Sequence, residues 1–160
     1  MAIYHFSAQV ISRSKGQSAV AAAAYRSGER LTDERTGETK FYKREVEPET
    51  MILAPSHSPE WVQNRQQLWN EVEKAETRKN SQVAREINIA LPREISHHEQ
   101  TELIRGYVQK EFVDQGMIAD VAIHRDDQDN PHAHVMLATR EISEDGFTVK
   151  NRDWNKKEWL

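Results

Sequence analysis

The sequence predicts an α+β fold, in which helices pack on a mostly antiparallel central sheet of about five strands. Three observations predict this fold. Some segments alternate apolar and polar residues as half-buried strands do, and others repeat apolar residues at helical spacing. In addition, two apolar runs flank a short polar loop, residues 125–131, as the strands of a hairpin would. A chain of 160 residues fits one domain with a real core.

The first half of the chain contains one long strand and two helices. Residues 3–12 alternate in polarity, so we expect a strand with its aromatic face in the core. Ser18 is a suitable N-cap for an alanine-rich helix over residues 19–29. Residues 31–53 are mainly turn-rich and charged, with short strands at most. A second helix is predicted over residues 58–76, with proline at its first position.

The second half of the chain alternates strands with one helix. Residues 82–91 alternate in polarity and predict another strand. Ser96 and Glu99 have the spacing of a capping box, which opens a helix that runs to about Gln115. The hairpin follows, and the chain after Arg140 is polar and predicts no further element. The resulting order is β-α-(short strands)-α-β-α-β-β.

Three histidines lie on the predicted hairpin. His132 and His134 are two residues apart, so on a strand they point to the same face. If His124 on the first strand pairs with His132, all three imidazoles share that face. The opposite face is then apolar and suits the core; it consists of Val121, Ile123, Ala133, Val135 and Leu137.

Three neutral imidazoles on one face can bind a divalent metal ion. They suit Mn, Zn, Ni or Co, whereas Mg prefers oxygen and is recruited when a substrate phosphate completes the shell. Neutral ligands also leave the charge of the ion available to polarise an anionic substrate. The alternative is an exposed hairpin whose histidines bind nothing.

Composition limits the other possibilities. No apolar run approaches the roughly 20 residues that span a bilayer, and no signal peptide is visible, so we expect a cytoplasmic protein without membrane contact. The chain has no cysteine, which excludes thiolate metal sites. Its net charge of −4 does not indicate a nucleic-acid partner, although residues 1–45 hold eight basic against five acidic side chains.

Several blocks of the sequence resemble the MobA/MobL family of plasmid mobilisation relaxases. They occur in the family's order and extend over essentially the whole chain. The blocks are residues 2–7, 11–30, 68–70, 78–87, 91–92, 116–124 and 130–134. The central residue of the histidine motif departs from the family pattern, because Ala133 is small rather than bulky.

The resemblance implies a single-tyrosine relaxase of the His-hydrophobe-His endonuclease superfamily. Such enzymes nick one DNA strand at an origin of transfer through a 5′-phosphotyrosyl intermediate and later rejoin it, which initiates conjugative mobilisation. The nucleophile then falls on Tyr25, and Glu86 matches an acidic position that orients a histidine or helps to deprotonate the tyrosine. The implied metal ligands are His124, His132 and His134, with Mg or Mn as the expected ion. Without the resemblance, a helical tyrosine is a core or rim residue.

The resemblance also implies the partners of the chain. Residues 1–160 would form one relaxase domain of a longer protein that binds single-stranded or hairpin-containing origin DNA, together with accessory relaxosome and coupling proteins. We expect basic side chains near the predicted site to contact phosphates. The candidates are Arg13, Lys15, Arg26, Arg30, Arg78 and Lys79.

Three other functions are compatible with parts of the pattern. A three-histidine metallohydrolase that uses metal-bound water would need no tyrosine. A rolling-circle replication initiator of the same superfamily would carry its nucleophile after the hairpin, but no tyrosine follows Tyr107. A DNA-binding module that has lost catalysis is the third alternative.

Overall fold

A five-stranded antiparallel sheet forms the centre of the structure, a computed structural model that describes residues 6–155. The strands described are β1 (Phe6–Ser12), β2 (Leu31–Thr32), β3 (Thr39–Lys40), β4 (Glu49–Leu53), β5 (Gln82–Ala90), β6 (Ala119–His124), β7 (His132–Leu137), β8 (Arg140–Ser143) and β9 (Gly146–Lys150). The central sheet has the spatial order β1-β5-β7-β6-β4. The predicted α+β architecture is confirmed, and the two strands of the histidine hairpin lie inside the sheet.

Helices cover both faces of this sheet. They are α1 (Ala19–Ser27), α2 (Arg65–Ala75) and α3 (His97–Glu111). Leu68 and Trp69 of α2 are fully buried in one apolar cluster, together with Ala23 and Ala24 of α1. A second cluster on the opposite face contains Ile104 and Val108 of α3, together with buried apolar side chains of β5, β6 and β7. No helix within residues 6–155 has the length and apolar character needed to cross a membrane.

The first helix is fixed at both ends. The side chain of Ser18 accepts a hydrogen bond from the backbone N–H of Ala21, as the N-cap prediction requires. The buried carboxylate of Glu73 accepts from the backbone N–H of Ala19 at 2.7 Å, which ties the start of α1 to α2. The helix ends at Gly28, which adopts the left-handed conformation.

Gly28 is the position in α1 where we expect the largest effect of a small substitution. Its φ is +76°, and an added Cβ would lie 3.2 Å from Cδ of Pro48. Gly28→Ala should therefore lower the free energy of unfolding by at least about 1–2 kcal/mol, measured by urea denaturation. Gly16→Ala is the matched control, because φ is +73° there and no atom lies within 4 Å. Equal losses in the two variants would contradict a contribution from the Pro48 contact.

The structure differs from the predicted elements in three places. The helix predicted over residues 58–76 is broken: a 3-10 turn covers Glu60–Gln63, and Asn64 then caps α2 from an extended conformation. The third helix ends at Glu111 rather than Gln115, before a separate 3-10 turn. After Arg140, where we predicted no element, β8 and β9 form a hairpin.

Packing explains the hairpin, because its apolar side chains are too few to form a clear pattern. Ile142 is buried in the cluster with α1 and α2, and Phe147 packs against that cluster and contacts Trp61. At the other terminus, residues 3–5 of the predicted first strand lie outside the described residues. In β1, Phe6 packs against the cluster on the α3 face, while Ala8 is exposed because β1 is an edge strand.

Candidate metal centre and adjoining tyrosine

The histidine hairpin has the register that the sequence predicts. In the β6–β7 ladder, His124 pairs with His132, and Ala122 pairs with His134. The alternate side chains are all buried in the apolar cluster under α3: Val121, Ile123, Ala133, Val135 and Leu137. The imidazoles therefore occupy the other face, towards the end of α1.

The three imidazoles converge on one point. One ring nitrogen from each of His124, His132 and His134 lies within 4.8 Å of the others. Their ring centroids are 4.3 to 5.4 Å apart, and the side chain of His124 is only 3% exposed. A partly buried set of three nitrogen donors fits a single divalent cation.

Each ring uses one nitrogen as a donor to a protein oxygen. Nε2–H of His124 donates to the carbonyl oxygen of Arg26 at 2.7 Å, and Nδ1–H of His132 donates to that of Asn130 at 2.9 Å. Nδ1–H of His134 donates to a carboxylate oxygen of Glu86 at 3.2 Å. The acceptors fix the tautomers, so the remaining nitrogen of each ring keeps its lone pair for a metal ion.

Burial keeps two of these rings neutral. It lowers the pKa of His124 to about 4, although the hydrogen bond to the Arg26 carbonyl opposes the shift. It lowers the pKa of His134 to about 3, with further lowering by the charges of His132, Arg26 and Arg44. Both rings are therefore in the metal-binding protonation state at neutral pH.

Glu86 lies behind the histidines and connects them to α1. It is 2% exposed, and while one carboxylate oxygen accepts from His134, the other pairs with the guanidinium of Arg26. Burial lowers the pKa of Arg26 to about 10, so this residue stays cationic at neutral pH. A second N–H of Arg26 donates to the carbonyl of Ala22 at 3.0 Å, which holds the guanidinium against the helix.

Tyr25 lies beside this centre in the last turn of α1. It is 50% exposed, and the next residue, Arg26, accepts a hydrogen bond from His124 and pairs with Glu86. The guanidinium carbon of Arg44 is 5.0 Å from the centroid of the Tyr25 ring, and Arg44 donates to the Tyr25 carbonyl at 3.1 Å. The exposed Tyr25 ring therefore lies between the guanidinium groups of Arg26 and Arg44, and the next residue along the chain contacts the histidine cluster.

Arg44 and Tyr42 are two neighbours of Tyr25 to which the sequence pattern gave no role. Tyr42 makes an edge-to-face contact with Tyr25, with ring centroids 5.4 Å apart, and Arg44 is 4.0 Å from Asp126 in the hairpin loop. Both residues come from the irregular segment between β3 and β4. The only signal in the sequence was the local excess of basic residues, which does not single out either position.

The six predicted DNA contacts are in different surroundings. Lys15, Arg30, Arg78 and Lys79 are exposed, and Arg26 is half-buried beside Tyr25. Arg13 instead donates to the carboxylate of Glu73 and to the carbonyls of residues 73, 76 and 78. These bonds use all five N–H groups of its guanidinium within the protein.

Comparisons with known proteins agree with this fold. The chain matches the MobA/MobL family over residues 17–158. Conjugal transfer protein TraA of Agrobacterium fabrum strain C58 is 38% identical over 163 residues, which cover 94% of this chain. Probable mobilization protein MobA of Bifidobacterium longum is 38% identical over 144 residues, which cover 89% of this chain. A solved structure described as the molecular basis of vancomycin resistance transfer in Staphylococcus aureus has a TM-score of 0.89 and 37% identity, and covers 98% of this chain and 84% of that one.

The sheet with its histidine cluster and these relatives define a domain of the mobilisation and conjugal-transfer class. The chain belongs to the MobA/MobL family. It spans 14% of the length of the Agrobacterium protein and 26% of the Bifidobacterium protein.

Proposed function

We propose that this domain nicks one strand of DNA at a plasmid origin of transfer and later rejoins it, with Tyr25 as the nucleophile. The observation that carries the proposal is the exposed Tyr25, which lies between Arg26 and Arg44. Its chain neighbour Arg26 accepts a hydrogen bond from His124 through its backbone carbonyl. Membership of the family and relatives named as conjugal transfer and mobilisation proteins support it.

The histidines are assigned as ligands of a divalent cation, Mg or Mn in the physiological reaction, with Zn, Ni or Co as substitutes. The free nitrogens of His124, His132 and His134 would hold it, since their other nitrogens are engaged. A cation held there would supply positive charge that stabilises the anionic scissile phosphate. His124 and His134 are neutral at neutral pH, because burial lowers the pKa of each, and they add no charge of their own.

Tyr25 performs the covalent step. Its phenolic oxygen attacks the phosphorus in line, a new phosphorus–oxygen bond forms, and the bond to the 3′-oxygen breaks. The tyrosine loses one proton, the leaving oxygen gains one, and the products are a 5′-phosphotyrosyl strand and a free 3′-OH. Because one phosphodiester replaces another, attack by a 3′-OH reverses the step without ATP.

Arg26 and Arg44 support the reaction through charge. They flank the Tyr25 ring, with guanidinium carbons 5.8 and 5.0 Å from its centroid, and their charge favours an anionic phosphate placed beside the ring. Glu86 is proposed as a positioning residue rather than the base, because both of its oxygens are already engaged by His134 and Arg26.

We propose that the DNA is single-stranded or hairpin-containing and lies along the basic surface beside Tyr25. Lys15, Arg30, Arg78 and Lys79 are exposed and available for phosphates, whereas the proposal gives Arg13 a structural role because its donors are engaged. By the family argument, the partners are accessory relaxosome and coupling proteins, in the cytoplasm.

The test is a covalent capture assay on a denaturing gel. The protein is incubated with a pool of candidate origin strands and Mg²⁺ or Mn²⁺, and we expect a protein–DNA band that EDTA abolishes. Cleavage without the band would contradict the tyrosine mechanism and favour a three-histidine metallohydrolase. Strand binding without cleavage would favour a module that has lost catalysis.

Glu86→Gln tests the positioning role of this carboxylate. The variant loses the charge that orients His134 and pairs with Arg26, so we expect affinity for Mn²⁺ to fall about 10- to 100-fold by calorimetry. Glu102→Gln, an exposed change on α3, is the matched control and should keep the wild-type affinity. An unchanged affinity in a folded Glu86→Gln protein would contradict the assignment.

A further inference from the structure

A cavity adjoins Tyr25. It has a volume of about 430 Å³ and lies between α1 and the β2–β3 hairpin. Its lining includes Gln17, Ala21, Tyr25, Thr36, Glu38 and Tyr42. This volume falls in the range of about 300–1,000 Å³ typical of small-molecule sites. The proposed nicking reaction gives this cavity no role.

The walls of the cavity suit a flat group with polar edges. Tyr42 is 38% exposed and presents an aromatic surface beside Tyr25, while Ala21 and Ala22 leave space along α1. Aromatic side chains of this kind stack on nucleobases regardless of their sequence. The cavity opens beside the phenol that would attack the phosphate, so a nucleotide next to that phosphate reaches it.

Polar groups at the rim can distinguish one base from another. Gln17 uses its amide oxygen to accept from the Ser12 N–H at 2.9 Å, and its amide NH₂ has no partner within residues 6–155. Glu38 offers a carboxylate, paired with Lys40 at 2.8 Å and 59% exposed. Acceptor and donor groups together match the hydrogen-bonding edge of a base.

We propose that this cavity binds the base of a nucleotide adjacent to the scissile phosphate and sets the sequence preference at that position. This inference rests on the proposed function and deepens it. A phosphate is a poorer occupant, because each basic side chain in the lining already pairs with a carboxylate, and Glu38 and the buried carboxylate of Asp33 line the cavity as well. The paired cations are Arg13, Arg26, Arg35 and Lys40. The carboxylate of Glu38 favours a base that carries an exocyclic amino group, which donates to it.

The test measures binding rather than cleavage, and it uses the Tyr25→Phe protein so that no strand is cut. A randomised single-stranded pool is selected for binding, and a selected strand is then made abasic at one position at a time. Fluorescence anisotropy gives the Kd for each strand. We expect one position at which base removal weakens binding roughly 5- to 150-fold, the effect of one stacked base.

The same position should be coupled to the cavity residues. In the Tyr42→Ala protein, removal of the base at that position should no longer weaken binding appreciably. In the Glu38→Gln protein, the base preferred at that position should change. Phe41→Ala is the matched control: this exposed aromatic lies against Arg30 and does not line the cavity, so the penalty should persist. If no position couples to Tyr42 or Glu38, the inference is overturned even where covalent capture succeeds. Coupling without covalent capture would instead overturn the proposed function alone.

Discussion

Tyr25→Phe is expected to abolish the covalent protein–DNA band and to reduce nicking by at least on the order of a thousandfold. The change removes only the phenolic oxygen that would form the bond to phosphorus. The ring stays, so its contacts with Tyr42 and the Arg44 guanidinium should persist, and the variant should fold and bind the strand as before. Single-turnover cleavage of a labelled strand, with the Kd measured in parallel, separates chemistry from binding.

The matched control for this prediction is Tyr107→Phe. Tyr107 lies on α3, packs against the apolar cluster on the opposite face of the sheet and contacts Phe112. Tyr107→Phe also removes one phenolic oxygen, but on the face of the sheet opposite the histidines. This variant should therefore form the covalent band at the wild-type rate. If Tyr25→Phe still cleaves the strand and the covalent adduct forms on another tyrosine, that tyrosine is the nucleophile and the assignment to Tyr25 is contradicted.

The histidine cluster could be predicted from the sequence because a strand has a period of two. The spacing of His132 and His134 fixes their common face, and a short polar loop permits the pairing with His124 that is found in β6 and β7. Apolar residues at the alternate positions confirm which face is the core. One local pattern therefore contained nearly all the information for this part of the site.

The surroundings of Tyr25 could not be predicted in the same way. They combine the end of α1, the segment before β4, and the middle of β5, which meet only through tertiary packing. Glu86 and Arg26 are 60 residues apart in the chain, and Arg44 reaches Tyr25 from a segment without a regular pattern. The resemblance to the family pointed to Tyr25 and Glu86, and Arg26 was among the candidate phosphate contacts, but nothing in the sequence pointed to Arg44 beside the phenol.

For the fold, prediction succeeded where a long segment had one consistent pattern. The strand at residues 82–91 and the capped helix that opens at Ser96 are examples, and both are present to within a few residues. It failed at Asn64, whose side chain competes for the backbone N–H of Gln67 and starts a new helix. It also failed for β8 and β9, since a hairpin anchored by Ile142 and Phe147 has too few apolar residues to show a period.

Asp120→Ala is expected to cause the largest loss of stability among the substitutions considered, about 3–5 kcal/mol in the free energy of unfolding. The carboxylate of Asp120, on β6, accepts two charge-assisted bonds from Nε and Nη2 of the buried Arg65 at 2.8 Å each. It also accepts from the indole N–H of Trp69 at 2.8 Å. Removing it leaves a buried guanidinium and a buried indole donor without this acceptor, a cost that urea denaturation would measure.

Two comparisons separate the broken charge pair from other causes. Replacing both partners, Asp120→Leu with Arg65→Met, should recover much of the loss, since a well-packed apolar pair avoids the stranded charge. Glu102→Ala removes one member of an exposed pair with Arg105 on α3 and should cost less than about 1 kcal/mol. If Asp120→Ala costs no more than Glu102→Ala, the Arg65–Asp120 pair does not hold α2 to the sheet. Because Arg65 also pairs with Glu29, just beyond α1, loss of the network should shift the Tyr25 end of that helix and slow nicking in the fraction that remains folded.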